Sequence, residues 1–237
     1  MGSNATTEQE SGTIDPAWKG LYKGGGLALI LGGSLVIVDI LVSSFVGGDA
    51  VGMNLSTEGL LQYIAVNRTL YLFDETLIVI ATIPLIPGLL AIYHAVRNIG
   101  RGYALVGIGL AVISATLSIV AQTAPLALVS LSDSYMAALN ASQRAVFVTA
   151  AEAVNSLDNN AISQLLNAIG LLIIAPVLLK SVLGKKVGYL ALAVGILGLI
   201  GFSFSFVSTE NPFFLFTLVL SIPWGLLAGY KLYRLGK

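Results

Sequence analysis

Residues 160–208 read NAISQLLNAIGLLIIAPVLLKSVLGKKVGYLALAVGILGLIGFSFSFVS. Two uncharged apolar runs flank one short basic segment, Lys180-Ser181-Val182-Leu183-Gly184-Lys185-Lys186. A bilayer's hydrocarbon core, about 30 Å thick, is crossed by about 20 apolar residues in helical form. Each run is long enough, and its continuity excludes the alternating pattern of a barrel strand. Lipid offers no partner to an open sheet edge, so the runs must be helices. The stretch therefore reads as a hairpin of membrane-spanning helices whose turn carries lysine.

The same signature recurs outward from this hairpin. Spans are expected at about 24–46, 75–96, 103–124, 160–182, 187–208 and 212–231. The fold class is all-α: a polytopic membrane helix bundle of six transmembrane helices over residues 24–234, behind a polar tail at 1–23. Composition agrees, since 10% charged residues are too few to cover a water-soluble domain, which needs about 25%. The first apolar run exceeds the 7–15 residues or so of a signal-peptide core and reads as a retained span.

Basic residues then orient the chain. Lys19 and Lys23, Arg97 and Arg101, Lys180, Lys185 and Lys186, and Lys231, Arg234 and Lys237 make ten of the twelve Lys and Arg, all on alternate connections. Positive-inside bias puts both termini in the cytoplasm, and the compartment reads as a plasma membrane. Asp49, Glu58, Asp74, Glu75, Asp133, Glu152, Asp158 and Glu210 fall on the opposite side. So do the glycosylation sequons at Asn54, Asn67 and Asn140, which either mark outer loops or arise by chance.

Spans two and three resemble spans four and five. Phe73-Asp74-Glu75-Thr76 stands where Leu157-Asp158-Asn159-Asn160 does, Pro87-Gly88-Leu89-Leu90 matches Pro176-Val177-Leu178-Leu179, and Gly107-Ile108-Gly109-Leu110 matches Gly195-Ile196-Leu197-Gly198-Leu199. This is a duplicated hairpin, or the easy matching of one apolar helix to another. An amphipathic outer segment precedes each copy, at 57–66 and 142–157. Asn140 and Gln143 have the spacing of a capping box at the start of the second segment. Together the two segments imply a helical cap on the outer face.

Chemistry-bearing residues are few. Asp39 alone is ionisable well inside a span, where a carboxylate costs about 2.5–3.5 kcal/mol on insertion scales. It either binds a cation or proton, or rests hydrogen-bonded in the outer third of the membrane. Asn160, Gln164 and Asn167 share one face of span four at i, i+4, i+7. With Asp74 and Asp158 at similar depth they line an outer polar vestibule or serve as interhelical glue. His94, the single histidine, cannot form a bis-histidine haem site or a zinc triad. With no cysteine, no GxxxxGK[ST] and no mid-span lysine, no cofactor or metal is expected. Zero net charge argues against a nucleic-acid partner. The expected partners are the lipid bilayer and a second membrane protein or a further copy of this chain.

The long outer segment before span two, Leu72-Phe73-Asp74, Ala175-Pro176, Gly188-Tyr189 and Pro223-Trp224-Gly225 occur in an order that resembles a family of small prokaryotic six-span membrane proteins known only as a domain of unknown function. The resemblance covers residues 24–234 and implies architecture, with no activity or site residues. The expected function is that of a non-enzymatic accessory or partner-binding membrane component. The alternative is a carrier or channel for a small solute or ion, using Asp39 and the outer vestibule.

Overall fold

A computed structural model describes residues 16–47, 55–157, 161–206 and 212–237. Among these, all regular structure is helical: after a 3-10 turn at Pro16–Trp18 come α1 (Lys19–Gly47), α2 (Thr57–Val66), α3 (Arg68–Thr82), α4 (Leu85–Ala121), α5 (Thr123–Ala137), α6 (Ala141–Leu157), α7 (Ala161–Leu179), α8 (Lys185–Phe204) and α9 (Pro212–Leu235). Five stretches are long and apolar enough to cross a membrane, one of them running unbroken in composition from Arg68 to Ala137.

Local chemistry sets the breaks. Ser56 caps α2 by accepting a 3.1 Å bond from the Gly59 amide, and Asn67 alone separates α2 from α3. The α3–α4 break falls at Ile83 and Pro84, because proline has no N–H to continue the ladder. Pro87 and Pro125 each sit in the first turn of a helix, where amides have no partner within the helix to lose. The second apolar run therefore begins at Arg68 and is interrupted in its middle, where the sequence led us to expect one helix over 75–96. Within α4, Gly100 (φ −161°, ψ 70°) leaves helical geometry. Between α7 and α8, Gly184 takes φ 88°, a left-handed conformation that only glycine adopts without strain.

Helix directions follow from which residues meet. Gly25 faces Ala91 while Gly32 faces Leu85, so α1 runs antiparallel to the start of α4. Gly26 meets Tyr233 and Gly33 meets Leu226, which makes α1 and α9 antiparallel. Gly188 against Leu179 and Gly195 against Leu172 give the same for α7 and α8. Gly198 beside Thr217, with Phe204 edge-on to Phe213, does so for α8 and α9. Gly107 opposite Gly170, and Ser114 bonded to Ser163, do so for α7 and the latter part of α4. These pairings close into a ring only if the two parts of α4 point in opposite directions. The chain reverses at Gly100.

Leu29, Ile92, Leu171, Leu178, Val187 and Leu232 fill the middle of that ring. Its basic connections share one end. Gly236 packs on Lys19 and Lys23, the Trp18 ring stacks on His94 at 4.0 Å, and Gly100 touches Val177. Helices α2, α5 and α6 gather away from that end around a second core of Leu61, Ile64, Leu128, Val129, Tyr135 and Ala151. Helix α5 is an element the sequence analysis left unassigned.

At the α4–α7 crossing, a Cβ on Gly170 would lie 2.6 Å from the Gly107 carbonyl oxygen and 3.2 Å from the Ala111 amide nitrogen. Backbone on both sides leaves nothing to yield. G170A should cost about 1–3 kcal/mol in reversible unfolding from mixed micelles. G109A, on α4 two residues past Gly107 and with open space at its Cβ, should be neutral or stabilising by up to about 1 kcal/mol. Equal effects of the two variants would mean the crossing is not backbone-limited.

Candidate functional site

Helical register brings Asp39 and Asp74 together. Gly32 of α1 packs on the Ala81 carbonyl of α3, and two turns further on, the antiparallel pairing sets Asp39 beside Asp74. The two carboxyl groups lie within electrostatic reach of each other. One Asp39 carboxyl oxygen, Oδ1, is buried and accepts no hydrogen bond from a described residue. Above them lies Tyr63 of α2, whose phenol is pushed up from its ordinary value by burial and then by the Asp74 charge. Gln164 and Asn167 are half-buried on α7, which packs on α4 and α8, whereas α1 packs on α9, α4 and α3. The structure thus joins Asp39 to Asp74 but sets the span-four amides on a different helix pair. Asp158 and Asn160 lie outside the described residues.

Serine forms the polar contact between α4 and α7. Ser114 Oγ donates to the Ser163 carbonyl at 2.8 Å, Ser163 Oγ donates to the Ser114 carbonyl at 3.0 Å, and Ser118 Oγ lies 2.6 Å from Ser163 Oγ. Each hydroxyl is bonded in a setting where an unmet donor would find no water.

The largest concentration of chemistry lies in the cap, at a cavity of about 620 Å³. Glu58 of α2, Tyr135 of α5, and Asn140, Arg144, Thr149 and Glu152 of the α6 region line it, with Leu139, Ala141, Ala145 and Val148 as apolar wall. Tyr135, only 1% exposed, is the floor. Its hydroxyl donates to Glu58 Oε1 and accepts a 3.2 Å bond from Gln62 Nε2, one helical turn along α2. The Arg144 guanidinium sits 5.5 Å above the Tyr135 ring, within cation–π range. Asn140 Oδ1 accepts from the Gln143 amide and Gln143 Oε1 from the Leu139 amide, each at 2.9 Å, and this box fixes where α6 begins. Buried Ser132 Oγ donates to the Leu61 carbonyl at 2.6 Å, and Arg68 pairs with Asp133 at 2.9 Å, locking α5 to α2 and α3.

The amphipathic pattern of 142–157 puts Arg144 and Glu152 together on its polar face, while Glu58 stands among the outer acids with no sequence link to them. The usable signal was the i, i+4, i+8 spacing of Arg144, Val148 and Glu152, which puts both charges on one stripe. No group of three or more His, Cys, Asp and Glu side chains among the described residues is placed to hold a metal ion.

Compared with known proteins, the chain matches no family model, no curated protein and no solved structure. The likeness to small prokaryotic six-span proteins rests on the quoted residues alone.

Removing the Tyr135 hydroxyl takes a donor from Glu58 and an acceptor from Gln62. Y135F should lower the local opening free energy of α2 and α5 by about 0.5–1.5 kcal/mol in native-state hydrogen exchange, leaving α7 and α8 unchanged. Loss spread evenly over the bundle would count against a separate cap core.

Proposed function

We propose that this chain is a six-span plasma-membrane protein with both termini in the cytoplasm. It acts without catalysis, as a recognition component that presents its α2–α5–α6 cap to a partner or ligand outside. The observation that carries this reading is the cap cavity: an open, mixed-charge cleft on a rigid phenol floor, away from the basic end of the bundle. Six crossings are supported by the reversal at Gly100, and the membrane setting by the outward-facing side chains Leu27, Leu31, Leu105, Ile113, Ile196 and Phe216. Such a surface is costly in water and neutral against lipid tails. The orientation is supported by the collection of Lys19, Arg101, Lys185 and Lys237 at one end. A duplicated hairpin finds support in a shared course, since both candidate copies run from the cap side to the basic end and back.

The absence of cysteine makes single-cysteine labelling direct. A membrane-impermeant maleimide should label T69C and T149C in intact cells, and K185C only after permeabilisation. T149C lies in the cleft and T69C outside it, so an occupant would slow only the first. In native membranes T149C should react at least several-fold more slowly than in purified protein, with T69C unchanged. Equal T149C rates in both preparations would remove the recognition reading, and labelling of K185C from outside would remove the orientation.

The carrier reading keeps one specific observation, the buried unpartnered oxygen of Asp39 beside Asp74. Any ion bound only by the folded protein would raise its melting temperature with concentration. Under the recognition reading, Na+ and K+ leave the melting temperatures of the wild type and D39N equally unmoved relative to choline. A rise of several degrees in the wild type, abolished in D39N, would favour the carrier instead.

A further inference from the structure

The cap cavity carries two charged groups with no ion-pair partner among the described residues, Arg144 and Glu152. Its third charge, Glu58, is already engaged by the Tyr135 hydroxyl. Arg144 and Glu152 stand eight residues apart on one face of α6, about 12 Å along the axis at 1.5 Å per residue. Between them the wall is Ala145 and Val148, and Thr149 supplies a hydroxyl near the Glu152 end. A volume of about 620 Å³ falls within the span of small-molecule sites, roughly 300–1,000 Å³.

The geometry points to a short zwitterionic peptide as the occupant, its terminal carboxylate on the Arg144 guanidinium and its terminal ammonium on Glu152. This rests on the recognition reading and gives its ligand a chemical class. A planar guanidinium holds a carboxylate through two parallel N–H bonds, which gives direction as well as charge. An extended peptide advances about 3.3–3.6 Å per residue, so about three residues span the distance between the two charges. A single amino acid, with both charged groups bonded to one carbon, reaches only one end. The apolar wall suits small side chains, and Thr149 and Asn140 offer bonds to peptide amide and carbonyl groups.

The test uses the full chain in nanodiscs and calorimetric titration with trialanine, its N-acetyl derivative, its C-terminal amide and glycerophosphoethanolamine. Trialanine should bind, and each blocked form at least tenfold more weakly. R144Q should weaken trialanine at least tenfold while leaving the C-terminal amide unchanged, and E152Q should do the same for trialanine against the N-acetyl form. Both side chains are exposed, so E152Q should melt as the wild type does and R144Q slightly lower, through its lost contact with the Tyr135 ring. Absence of trialanine binding, equal binding of all three peptides, or binding of glycerophosphoethanolamine as tight as that of trialanine overturns the peptide assignment. Slowed T149C labelling in native membranes alongside any of these results would leave the cap a recognition site for another ligand. Its absence together with them would remove both readings.

Discussion

The contact on which the bundle depends is the approach of two backbones at Gly107 and Gly170. Lipid tails are as apolar as leucine, so burying one helix against another gains little of what water would provide. Association has to come from close packing and from polar bonds that lipid cannot replace. With no side chain on either residue, the carbonyls of α4 and α7 approach to the limit of contact. Two turns toward the cap, at Ser114 and Ser163, each hydroxyl reaches the opposite helix's carbonyl. Without that seam the Gly100 reversal would bring the latter part of α4 back against nothing, and the ring through α7, α8, α9 and α1 would stay open.

The molecule then has two cores in two solvents. Within the ring, polar groups are few and serve as glue. In the cap they are numerous, and the buried Tyr135 and Ser132 hydroxyls are each bonded to a neighbouring helix. The junctions between the two are short: Asn67 alone joins α2 to α3, and Gln122 alone joins α4 to α5. Single-residue joints leave the chain little freedom to hinge. An occupant wedged between α2 and α6 would therefore act on α3 and on the latter part of α4 through helical rods, not through slack loops.

Much of this architecture is legible in the chain because lipid makes a crude demand, length without charge, that 160–208 meets in plain view. Lysine and arginine counts carry through as well, since Lys19, Arg101, Lys185 and Lys237 gather at one end of the folded ring. Other features are not legible. Helix α5 is hidden because Thr123–Ala137 continues the apolar character of the run before it and shows no charge until Asp133. The cleft is hidden because Glu58 and Tyr135 are 77 residues apart and no local period links them. By depth, Asp39 groups with Asp74, Asp158 and the span-four amides, of which Gln164 and Asn167 lie among the described residues. Depth follows from counting along a span, but azimuth depends on which helices pack, and packing gave Asp39 to Asp74.

The recognition proposed for the cap draws on its charges more than on its hydroxyl groups. In the cap, Tyr135 has committed its proton to Glu58 and an oxygen lone pair to Gln62. In the bundle, Ser114 and Ser163 have committed theirs to each other's backbones. These groups hold helices together. What the cleft leaves without an ion-pair partner among the described residues is the charge of Arg144 and of Glu152, held apart by two turns of helix. Fixed opposite charges at a set spacing can select an occupant by length and polarity, as the proposed recognition requires.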